Sequence, residues 1–129
     1  MKFRRFGVAA VAPFLFAASA FAADLGSEIN NARTHAGLAA AAADINGVHM
    51  HMHHALNCLV GPNGDGFDSK AMNPCAQAGN GAIPDETDQI KKAKLLTAKN
   101  ELETGLAATD LQAAKSAASS ARATIASVR

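Results

Sequence analysis

The chain has 129 residues, two Cys, no Trp or Tyr, and a formal net charge of +1. That length supports one small domain at most, because chains divide into several domains only well above it. With 18% charged and 49% apolar residues, the composition excludes a disordered polyelectrolyte and a basic nucleic-acid binder.

The first 22 residues read differently from the rest. Lys2, Arg4 and Arg5 form a basic start without an acid, an apolar run follows from Phe6 to Phe16, and Ala20-Phe21-Ala22 is an Ala-x-Ala cleavage site. This pattern predicts a cleaved signal peptide over 1–22 and a periplasmic or secreted chain over 23–129. A spanning anchor needs about 20 apolar residues; this run is shorter and Pro13 interrupts it. No membrane association is therefore expected after cleavage. The leader takes three bases and five of the six Phe with it, which leaves Phe67 and a mildly acidic remainder. That remainder holds 24 Ala and few β-branched or aromatic residues, so it reads as helical, with helices packed closely through Ala and Leu.

Four helices are predicted in chain order. Ser27 caps the first, which runs through Ala42, and Asp44 caps a second that continues to Val60, where Gly61-Pro62 stops it. A Gly-, Asn- and Pro-rich stretch occupies 61–84. Pro84-Asp85 then opens a third helix to Ala107, with Glu86 and Asp88 suiting the dipole in its first turn. Thr109-Asp110-Leu111-Gln112 reads as a capping box for a fourth helix reaching the C-terminus. Gly37-Leu38-Ala39-Ala40 and Gly105-Leu106-Ala107-Ala108 precede similar turns, so each half resembles one αα-hairpin. The expected fold is all-α: an antiparallel four-helix bundle of two αα-hairpins, with a long disulfide-closed loop between them. One continuous helix over 27–60 is the alternative; Asp44, Asn46 and Gly47 argue for a break.

Cys58 and Cys75 are the only possible intramolecular pair. In an oxidising compartment they are expected to form a disulfide, worth roughly 3 kcal/mol for a loop of this length. Two free thiolates acting as metal ligands are the competing reading.

The segment His49-Met50-His51-Met52-His53-His54 concentrates four of the five His. At 100° per residue, Ile45, Val48, Met52, Leu56 and Leu59 fall on one stripe, the expected core face. His49 and His53 then share one flank, and His51 and His54 share the other, in line with Cys58. Pairs at these spacings chelate divalent metals, yet each supplies only two ligands where a stable site needs three or four. His35 lies about as far before the predicted turn as His53 lies after it, so it can add a third imidazole to one pair. Met50, a second copy of the chain in a homodimer, water, or acids of the third helix are the other candidates. His with Met in an exported protein points to copper ahead of zinc or nickel, while Met52 on the core stripe reads as packing. A solvated, titrating His face without a metal is the competing reading.

Asn63-Gly64-Asp65-Gly66-Phe67-Asp68 looks like the start of a calcium loop but lacks the EF-hand positions, so turn chemistry is the better account. No nucleophile signature, phosphate loop or Cys-x-x-Cys pair is present, and no enzyme activity is expected.

Ala23-Asp24-Leu25, the four predicted helices, the long central loop and the Ala-rich last helix with Lys115 resemble the cytochrome b562 family of periplasmic haem bundles. That family ligates haem through a Met on its first helix and a His on its last. Here the first helix has no Met and 110–128 contain no His, so haem is not expected. The signal peptide, Ala-rich helices and His cluster are also similar in type to small periplasmic His-rich metal-binding proteins. That similarity implies metal sequestration, delivery or tolerance. A non-enzymatic envelope interaction or pH-responsive protein is the alternative.

Overall fold

The structure, a computed structural model, describes residues 22–129; all but the last residue of the predicted leader lies outside the described residues. Among the described residues there are five helices and no strand: α1 (Leu25–Ala41), α2 (Ile45–Val60), α3 (Ala82–Asp85), α4 (Gln89–Ala107) and α5 (Leu111–Ala126). None of them is long and apolar enough to cross a membrane.

Each long helix begins at an aspartate whose carboxylate satisfies N–H groups that the helix cannot pair internally. Asp24, rather than the expected Ser27, caps α1: its Oδ1 accepts from the Ser27 backbone at 2.9 Å and its Oδ2 from the Ser27 hydroxyl at 2.8 Å. Asp44 caps α2 as predicted, accepting from Gly47 N at 2.8 Å. Ala42 is already extended, so α1 and α2 are separate helices and the continuous alternative is excluded. The expected start of the third helix at Pro84 is corrected. Pro84 belongs to the single-turn α3, Glu86 is extended, and α4 starts afresh at Asp88, whose carboxylate accepts from Ile90 N and Lys91 N. Glu86 is folded inward and accepts from Asp88 N at 2.8 Å, which fixes the break. Asp110, not Thr109, caps α5.

α1 packs against α2 and α5, and α4 packs against α5 and α2. The predicted stripe on α2 is the inner face: Val48, Met52 and Leu59 are fully buried, Leu56 nearly so, and Ile45 packs against them. Ala32, Ala36 and Ala39 of α1 and Ala114, Ala118 and Ala121 of α5 are also fully buried. Nine of the nineteen buried apolar residues are Ala, so close helix approach replaces bulk. Gly105 shows the tightness: a Cβ there would fall on the end of Met52. Met52 is thus a packing residue, as expected.

The stretch 61–81 is fastened to the end of α2. Cys58 and Cys75 form the predicted disulfide. Immediately before Cys58, fully buried Asn57 accepts from Asp68 N at 2.9 Å and donates to Asp68 O at 3.0 Å and Met72 O at 3.2 Å. Asp68 O keeps a second donor in Ala71 N at 3.2 Å, but Asp68 N and Met72 O lose their hydrogen-bond partner if the amide is removed. Asn57→Ala is expected to destabilise the fold by about 2–3 kcal/mol, read as a lower denaturation midpoint at unchanged slope. A cost below about 0.5 kcal/mol would mean that water replaces the amide.

Candidate metal centre

Helical geometry turns His51 and His54 to one flank of α2, and α1 brings His35 beside them. The His35 Nδ1 and His51 Nδ1 atoms are 3.2 Å apart. The His54 ring stands edge-on to both, with centroids 5.0 Å from His35 and 5.6 Å from His51. One ring nitrogen from each of the three lies within 4.8 Å of the others. Three nitrogens on one zinc ion at about 2.0–2.1 Å stand roughly 3.5 Å apart, so small side-chain rotations close the set around a metal.

The environment of two of these imidazoles favours the neutral form. Burial, then the neighbouring His54 and His51 rings, push the His35 pKa below its ordinary value. Burial, then His51 and His53, lower that of His54. A neutral imidazole has the lone pair a metal needs. His54 is only 7% exposed, and its Nδ1 is buried with no hydrogen-bond partner. An unpaired buried nitrogen costs free energy unless something binds it.

The other members of the His run have separate surroundings. His49 Nε2 lies 3.1 Å from the Ala108 carbonyl at the α4–α5 junction; a carbonyl only accepts, so that nitrogen donates and is not free for a metal. His53 Nδ1 is 3.5 Å from Asp68 Oδ2, without hydrogen-bond alignment. His49 and His53 are therefore not in the cluster, although their i, i+4 spacing is ideal. The third imidazole expected from α1 joins His51 and His54. Met50 is 49% exposed and is not among the residues packed against the core. The cysteine sulfurs are consumed in the disulfide and cannot act as thiolate ligands. The 63–68 segment forms turns, and the Asp65 carboxylate is fully exposed 3.7 Å from Lys99 Nζ.

Sequence reading missed one group of consequence. Glu28 is fully buried; its Oε1 accepts from Gly81 N at 2.8 Å and its Oε2 has no partner. The signal was available: Glu28, Ala32, Ala36 and Ala39 form one helical stripe. Burial raises the Glu28 pKa most, the Gly81 hydrogen bond opposes it, and Asp85 and Asp24 add to the rise. A folded-state pKa above the unfolded value gives stability that is present at low pH and lost as pH rises through the folded pKa. Glu28→Gln, which keeps the acceptor for Gly81, is therefore expected to gain stability relative to the parent between pH 4 and pH 8 in parallel thermal melts. The opposite trend would show a well-paired carboxylate.

No known protein family, curated protein or solved structure matches this chain.

Proposed function

We propose that this chain is an exported, non-catalytic copper-binding protein, in which His35, His51 and His54 hold the ion for sequestration, delivery or tolerance. The observation that carries the reading is the convergence of three imidazoles from two helices. Burial of His54 with an unpaired nitrogen favours a ligand site over a solvated, titrating face. Copper is chosen over zinc or nickel because imidazole binds it most strongly in the divalent series. An oxidised disulfide and the absence of any membrane-spanning helix among the described residues suit the periplasm or the extracellular space. The packing of α1 on α2 and of α4 on α5 supports an antiparallel four-helix bundle of two αα-hairpins as the scaffold.

The test is competition of the oxidised chain for Cu(II), and for Cu(I) under anaerobic conditions, against a chelator of known affinity. Sub-micromolar binding at one ion per chain is the expected result. Binding no tighter than that of an unstructured His-containing peptide would refute the proposal.

A further inference from the structure

We infer that a divalent ion in the three-imidazole site carries a small monodentate anion, such as chloride or azide, in its fourth coordination position; this rests on the metal-binding reading above. The three donors are neutral and leave the charge of a dication uncompensated. Among the described residues, no carboxylate or thiolate joins His35, His51 and His54 in one group. The acid on the nearby loop is committed elsewhere: Asp68 Oδ1 accepts from Lys70 N at 2.9 Å and Oδ2 faces His53. Both cysteine sulfurs are in the disulfide, and His49 Nε2–H donates to Ala108 O.

Three protein ligands and one open position is the pattern of zinc sites that take an exogenous group, whereas closed structural sites use four protein ligands. The opening has a direction. His54 lies at the buried side of the cluster, while His35 and His51 are partly exposed, so a solvent-borne ligand approaches past those two rings. An anion is favoured because a partly desolvated dication attracts negative charge far more strongly than it would in water. Since Met52 is fully buried in the core, Met50, one residue before His51 and half exposed, is the one thioether of this helix open to solvent. Its thioether brings no charge and does not satisfy that demand.

The experiment loads the full oxidised chain with one equivalent of Cu(II) and titrates azide, reading the azide-to-copper charge-transfer absorption. A new band saturating at one azide per copper is expected in the parent and in Met50→Ala. It should be absent in His35→Ala, where the site is incomplete. A parent that holds copper but shows no band overturns the inference alone, whether Met50 or a second copy of the chain fills the position. A band appearing only in Met50→Ala would identify the thioether as that ligand. A band retained in full in His35→Ala would place the anion on copper bound elsewhere, and likewise overturn it. Failure of the parent to bind copper at all would instead remove the metal-binding reading itself.

Discussion

Replacing His54 by Leu is expected to weaken copper binding by about 100-fold or more, because two imidazoles remain where three converged. Replacing His49 by Ala should change it by about threefold or less, since its ring faces the Ala108 carbonyl and lies outside the ligand shell. The contrast is informative because both residues belong to one run of the sequence and sit on one helix. Stability should move the other way. His54 Nδ1 is buried without a partner, so an apolar side chain of similar volume removes an unsatisfied polar atom, and the metal-free His54→Leu chain should be as stable as the parent or more stable by about 1 kcal/mol. Competition titrations and metal-free thermal melts on the same samples check both halves. Comparable copper losses in the two variants would return the site to the whole His run. A metal-free His54→Leu chain destabilised by more than about 2 kcal/mol would show His54 to be a structural residue.

The second large effect is expected from the disulfide. Substituting both Cys58 and Cys75 by Ala should cost about 3 kcal/mol through the freed loop entropy of the unfolded chain, lowering the melting temperature by roughly 10–20 °C for a domain of this size. The proportion is high because the core has little bulk: the large, fully buried apolar side chains are few, and Ala supplies much of the rest. The Asn57 hydrogen bonds to Asp68 and Met72 fasten the same loop independently. The loop should therefore remain folded at moderate temperature in the double variant. A melting temperature within about 3 °C of the parent would mean that Asn57 alone holds the loop and that the bridge is energetically redundant.

Much of the helical layout was legible because its signals are local. Asp44 as a cap, Gly61 as a stop and the stripe from Ile45 to Leu59 each depend on residues within a turn or two of one another. The errors were local competitions between neighbouring capping groups. Asp24 prevailed over Ser27 and Asp110 over Thr109, because a carboxylate one position or a few positions away offered the acceptor. The break at 86–88 came from Glu86 turning inward, which no periodicity announces. Glu28 was legible in principle from the Ala stripe it begins, yet acids in a first helical turn ordinarily face solvent.

By itself, the sequence determined that the chain is helical, that Cys58 and Cys75 are the only possible intramolecular pair, and that the His residues of α2 fall on two flanks. Only the tertiary structure decided which flank converges on a third imidazole. Spacing places two His on each flank with equal validity, and the choice depends on the side at which α1 packs. Once α1 lies against His51 and His54, His35 completes a cluster there, while His49 faces the α4–α5 junction and His53 faces the loop at Asp68. The physical reason is that a helix fixes the angles between its own side chains, whereas the neighbours they meet are set by packing between helices.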